Sequence, residues 1–180
     1  NSSKNISRSY VQAKFICDNI IFKNKPRILD IGCYDGQLLN NINIFIKKGE
    51  FWGLDINNYL KKFFPKKNNF YFISKDLKNI NHKFDLIIFS YSLSYIPDLP
   101  KLMNKIKDLL KKNGKLFIQL PDISKKPIYS LMGDQLYIFS KISINNVLKN
   151  YGFKILKIKK EYFKQEIVII AVKNTEKFFT

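Results

Sequence analysis

The feature that most constrains this chain is an alternation. Short apolar runs take turns with stretches whose apolar residues recur at helical spacing. "KPRILDI", "EFWGLDI", "NFYFIS", "FDLIIFS" and "KLFIQL" read as strands. The middle of "FDLIIFS", Leu86–Phe89, is an unbroken apolar run, as a central parallel strand needs when both of its faces are covered. Ser9–Phe22, "QLLNNINIFI", Leu99–Leu110 and "SINNVLKNYG" read as helices, the last started by Ser143 and stopped by Gly152. "KKNGK" ends the Leu99–Leu110 helix with a glycine just past it. "FKILKIKK" and "EIVIIAVK" follow with no helix between them, which predicts a hairpin. Such alternation predicts an open, mostly parallel α/β sheet. At 180 residues the prior is a single domain, 1–180. Within it, 1–25 is an N-terminal helical segment and 121–142 a looser, aromatic-rich insertion.

Charge and cysteine usage narrow the function classes. The formal charge is +18, and nearly all of it is lysine, since Arg8 and Arg27 are the only arginines. One reading is a polyanion partner such as nucleic acid. The other is compositional drift, because Lys, Asn, Ile, Phe and Tyr are abundant together. The lysines are scattered along the sequence, and base readers favour the bidentate arginine fork, so drift is preferred. No apolar run reaches the roughly 18 residues of a membrane span, and "NSSKNISRSY" has no secretory apolar core. Cys17 and Cys33 imply no disulfide framework, and a reducing cytoplasm is the default. No Cys/His cluster has zinc spacing, so no metal is expected. The sequence does not start with Met, which leaves open that it is part of something larger.

The chemistry concentrates in "LDIGCYDG", residues 29–36, directly after the first predicted strand. A ligand of an open α/β sheet sits outside the carboxyl ends of the strands, beside this position. A dinucleotide needs G-x-G-x-x-G there. Here Tyr34 would obstruct the pyrophosphate, and Asp30 and Asp35 would repel it. A P-loop is excluded because no Gly-Lys-Ser/Thr follows. A phosphate-free ligand with a positive centre suits the residues better. Nineteen positions after Gly36, Asp55 ends the second predicted strand, where a carboxylate can accept bonds from both ribose hydroxyls.

With Asp30, Gly32 and Gly36 in register with Asp55, the chain resembles the class I S-adenosylmethionine (SAM)-dependent methyltransferases over nearly its whole length. The resemblance implies a Rossmann-like, mostly parallel seven-stranded sheet with an antiparallel C-terminal hairpin. It also implies SAM as cofactor. Its cofactor-binding positions would be Asp30, Gly32, Cys33, Tyr34 and Gly36 in the loop, and Asp55 with Ile56 after the second strand. Asp76 matches the acidic residue that meets the adenine amino group, with Leu77 beside it. Ser90 and Tyr91 end the fourth strand, where the family lines the methionine moiety. Tyr34 departs from the family's common middle glycine. "NKIKDLLKKNGKLFIQLPD" resembles the family's helix, turn and fifth strand, and "LYIFSKISINNVLKNYGFKI" the segment before its last strands.

Methyl transfer is an in-line displacement, so the protein mainly aligns the acceptor, and an oxygen acceptor also needs a base. The only histidine, His82, reads as a solvated loop residue. After the fourth strand the family often has "LHHIPD"; here "LSYIPD" puts Ser94 and Tyr95 in place of both histidines. Gln135 stands where relatives often carry a histidine. Tyr91, Tyr95, Asp122 and Asp134 are the candidate catalytic residues, with Asp122 alternatively a turn cap after Pro121. Residues 121–142 are the candidate lid, with Tyr129, Met132 and Tyr137 as apolar wall. The amine-methylating N/D-P-P-Y motif is absent, and neither cysteine is placed for cytosine C5 chemistry. The expected activity is methylation of a small polar acceptor, O-methylation of a sugar or related metabolite being preferred. An RNA methyltransferase and a non-catalytic SAM-fold module are the alternatives. The sequence leaves the oligomeric state open.

Overall fold

A computed structural model describes residues 7–74, 76–77, 80–131, 133–159 and 165–174. Met132 lies outside them. The chain divides into two compact units, Asn1–Asp76 and Leu77–Thr180. Among the described residues there are seven strands, three in the first unit and four in the second, parallel pairs followed by an antiparallel C-terminal hairpin, the mixed architecture expected of class I methyltransferases.

In the first unit, α1 (Arg8–Asn19) is capped by Ser7, whose hydroxyl accepts from the Tyr10 N–H. β1 (Arg27–Ile31), β2 (Glu50–Leu54) and β3 (Phe70–Ile73) pair in parallel. α2 (Gln37–Ile46) crosses from β1 to β2 and buries Leu38, Leu39 and Ile42, the face its spacing predicts. A 3₁₀ turn over Asn58–Lys62, unseen in the sequence pattern, follows β2. Phe64 then lies over β2, with its ring edge-on to Phe70 and Phe72. That ring fills the space above Gly53, where a Cβ would fall 2.8 Å from Phe64 Cζ and 2.6 Å from Cys33 Sγ.

In the second unit, β4 (Phe84–Ser90) pairs in parallel with β5 (Leu110–Pro121). β4 has Leu86 to Phe89 fully buried, as its unbroken apolar run requires. α3 (Leu99–Leu109) starts at Asp98, whose carboxylate accepts the Lys101 N–H, and buries Leu102, Met103 and Ile106. "KKNGK" is not a free turn: strand β5 begins at once, and the ladder to β4 jumps from Phe84↔Leu110 to Leu86↔Lys115 across a bulge. Backbone explains the glycine, because a Cβ on Gly114 would meet the Phe84 carbonyl at 2.8 Å.

α4 (Lys141–Asn150) starts one turn earlier than the sequence suggests. Ser140 is the N-cap, and Ser143 is the other half of a reciprocal capping box. Gly152, at φ +72°, ends it. β6 (Phe153–Lys159) and β7 (Glu166–Lys173) are the antiparallel hairpin, with β7 inserted antiparallel beside β5. Among the described residues no helix is long and apolar enough to cross a membrane.

The fit of Phe64 against β2 gives a test of packing. Gly53→Ala forces a methyl into the Phe64 ring and the Cys33 sulfur, and should lower the unfolding free energy by about 1–3 kcal/mol. Urea denaturation of the two proteins measures it; equal midpoints would contradict the packing described.

Candidate functional site

The loop from Ile31 to Gln37 takes its shape from backbone that leaves the right-handed region three times. Gly32 (φ +78°), Tyr34 (φ +51°) and Gly36 (φ +77°) all have positive φ. Glycine adopts this freely, whereas a tyrosine there is strained and must be held. Asp55 holds it: the Tyr34 N–H donates to Asp55 Oδ2 at 3.0 Å. The other oxygen, Oδ1, accepts the Asn57 N–H, also at 3.0 Å. One carboxylate thus ties the loop after β1 to the turn after β2. With one bond on each oxygen, about two of its four acceptor positions remain. Gly32 and Cys33 both donate to the Leu54 carbonyl, and Asp35 Oδ1 accepts the Gln37 N–H at the start of α2.

Asp30, at the end of β1, is only 2% exposed, and its Oδ1 has no hydrogen-bond partner. Burial pushes its carboxyl up to about 7, and the nearby Asp55 carboxylate adds to the rise. Burial likewise raises the Cys33 thiol, with Asp30 and Asp55 contributing, so Cys33 is a packing thiol and not a nucleophile. Tyr34 turns its side chain outward, 66% exposed, so it does not fill the loop as a sequence reading of its bulk suggests. Ile56 is 91% exposed at the lip of β2 and presents an apolar surface. Tyr59 and Phe63, which the sequence reading passed over, are exposed on the adjoining turn, with the Lys62 ammonium 3.4 Å from the centre of the Tyr59 ring. Asp76 is exposed at the end of this unit.

The second unit carries the remaining candidates. Ser90 and Tyr91 are half-buried at the carboxyl end of β4, and Tyr91 has φ +62°. Its N–H donates to the Gln119 carbonyl of β5. Leu77, also half-buried, accepts the Ile80 N–H. The "LSYIPD" segment and the insertion are joined by backbone. The Ser94 carbonyl accepts the N–H groups of Leu136 and Tyr137, at 2.9 and 3.1 Å, and the Tyr137 hydroxyl donates to the Pro97 carbonyl at 2.8 Å. Ser94 is therefore buried as an anchor, while Tyr95 is exposed. No side-chain pattern signals this clasp, because its acceptor is a backbone carbonyl.

The two candidate carboxylates separate. Asp122 is 0% exposed; its Oδ1 accepts the Ser124 N–H at 3.2 Å and the Ser124 hydroxyl at 2.6 Å, with Lys141 3.7 Å from Oδ2. This is the turn-capping alternative, and it takes the carboxylate away from solvent. Asp134 is exposed beside half-buried Gln135.

Residues 8–158 match the family model described as "Methyltransferase domain". The chain belongs to that family. The 235L protein of Invertebrate iridescent virus 6, named as a candidate methyltransferase, is 27% identical over 120 residues, which is 64% of this chain and 45% of that protein. The chain thus spans less than half the length of that relative. A Haloferax volcanii chain from a complex of the Trm112 methyltransferase activator with a candidate methyltransferase superposes with TM-score 0.80 at 12% identity, covering 93% of this chain and 91% of that one. A SAM-dependent methyltransferase from Aquifex aeolicus superposes with TM-score 0.73 at 15% identity, covering 92% and 93%. These structural likenesses show the fold.

The buried Asp30 carries a pH signature. Its folded-state pKa of about 7 lies above the ordinary carboxyl value of 3.8, so the folded chain binds more protons in between. Its contribution to stability is therefore fully present below pH 4 and is lost as pH rises towards 7. Asp30→Asn should be as stable as the parent near pH 4 and more stable at pH 8. Thermal melts of ligand-free protein across this range check it; parallel curves would contradict a buried, protonatable Asp30.

Proposed function

We propose that the chain is a SAM-dependent methyltransferase that acts on a small polar acceptor, with O-methylation of a sugar or related metabolite as the preferred case. The single observation that carries the cofactor assignment is the unpartnered, buried oxygen of Asp30 beside a second carboxylate, Asp55. Two adjacent carboxylates repel a pyrophosphate and favour a cation. SAM fits this donor set: it has a cationic sulfonium and an ammonium, two ribose hydroxyls and no phosphate. When bound it supplies the methyl group and a good leaving group.

The chain's own residues then have distinct tasks. Asp30 offers negative charge to a cationic ligand, and Asp55 offers its remaining acceptor positions to vicinal hydroxyls while it keeps the loop in shape. Ile56 offers an apolar surface to a flat ring, and Asp76 an acceptor for an amino group. Gly32, Cys33, Tyr34 and Gly36 shape the loop. Leu77 stands beside Asp76 on the adenine side in this reading, and Ser90, Tyr91 and Tyr95 line the cofactor-methionine and acceptor side. Residues 133–139, clasped to the Ser94 carbonyl, serve as lid. Asp134 is the base preferred over Asp122, because it is exposed, whereas Asp122 is buried in a turn with Ser124. A cytoplasmic location belongs to this reading and is supported by two free thiols, Cys17 and Cys33.

Incubation of cell extract with the protein and methyl-labelled SAM tests the acceptor class. Label is expected in the low-mass fraction, reduced about 10²–10⁴-fold by Asp134→Asn with affinity for S-adenosylhomocysteine unchanged. Label confined to RNA would overturn the acceptor assignment, and no binding of SAM or S-adenosylhomocysteine in calorimetry would overturn the activity.

A further inference from the structure

The lysines scattered along the sequence do not stay scattered. Lys83 precedes β4, Lys107 sits in the last turn of α3, Lys111 and Lys112 lie at the start of β5, and Lys173 ends β7. Together with Leu110 and Asn174 they line a cavity of about 570 Å³ in the second unit. The cavity is at the amino end of β4, and the seven residues of that strand put it roughly 20 Å from Ser90 and Tyr91 at the other end.

The cluster has a structural task, which does not exhaust it. α3 ends here, and its last carbonyls favour cations. Lys83 donates to the Asp108 carbonyl, and Lys173 donates to those of Lys107 and Leu110 at 3.2 and 2.7 Å. The negative end of the helix is thereby already satisfied. Lys173 keeps a third N–H, since an ammonium has three. Lys111 pairs with Asp85 at 2.6 Å. The ammonium groups of Lys107 and Lys112 have no hydrogen bond or ion pair among the described residues. Among the described residues, Asp85 and Asp108 are the carboxylates beside the five lysines, so positive charge is in excess there. The crowding is felt: burial lowers the pKa of Lys173, and the Lys83 and Lys107 charges lower it further. An anion in the cavity would remove that penalty.

The chemistry of the lining narrows the anion. It contains no aromatic ring on which a base could stack and no arginine fork for a planar carboxylate. Lysines spaced around an open cavity act as point charges, which suits several tetrahedral anions in series. We propose that this pocket binds consecutive phosphates, as a free oligophosphate or as the backbone of a nucleic-acid strand, at a site separate from methyl transfer. The proposal does not depend on the acceptor or the activity.

Titration of the full chain with inorganic tripolyphosphate and with a short oligouridylate, at low salt, tests it. Lys107→Glu/Lys112→Glu should weaken binding of the preferred probe at least about tenfold, since counter-charged contacts dominate such affinity. Lys23→Glu/Lys48→Glu makes the same charge change on exposed lysines of the first unit and should cost less than about twofold. Lys107→Gln/Lys112→Gln should act in the same direction, and supplies the answer if charge reversal perturbs folding. Tighter binding of the oligouridylate, with a steep salt slope, assigns the phosphates to a strand; equal or tighter tripolyphosphate assigns them to a free ligand. Equal losses in the two reversal variants, or no binding of either probe by the parent protein, would overturn the site.

Discussion

One carboxylate bridges the two turns that shape the loop after β1. Asp55 takes a backbone N–H from Tyr34 after β1 and another from Asn57 after β2. Charge-assisted bonds of this kind are about twice as strong as neutral ones, and here they hold a tyrosine at φ +51°. The cost is a second carboxylate, Asp30, buried close by and pushed towards protonation. Fold and chemistry are linked at this point. The geometry that shapes the loop also creates a place where negative charge lacks a partner, and this selects for cationic, hydroxyl-bearing ligands against phosphates.

On the proposed function, the second unit answers a different demand. A transferase has to admit an acceptor and then exclude water. The Ser94 carbonyl pins residues 136 and 137 across the loop after β4, and Tyr137 reaches the Pro97 carbonyl. The insertion is thus tied to the loop after β4 while Ile128, Leu131 and Leu136 stay exposed. Asp122 and Ser124 fix where the insertion leaves β5. A family histidine at position 94 would present a side chain; the serine here is buried and contributes its backbone.

Much of this was legible in the residues. The apolar run of β4 needed cover on both faces, the Leu38, Leu39, Ile42 spacing fixed the inner side of α2, and the missing helix between the last strands dictated their hairpin. Asp30, Gly32, Gly36 and Asp55 stood out because positive φ and carboxylate chemistry leave few residue choices. The parts that escaped depend on contacts between distant segments. The bulge at "KKNGK" comes from Gly114 meeting the Phe84 carbonyl, the start of α4 from a serine pair either of which could cap, and the burial of Asp122 from Lys141 and Ser124. Lysines drawn from separate elements look random in one dimension and form a cluster in three.

Calorimetry of SAM binding near pH 7, repeated in buffers of different ionisation enthalpy, reads whether a cation meets the Asp30 carboxyl. A cationic ligand settling beside Asp30 should drive its carboxyl to ionise, so binding should release part of a proton, and Asp30→Asn should abolish the release. Binding with no proton exchange, or no binding at all, would contradict the account.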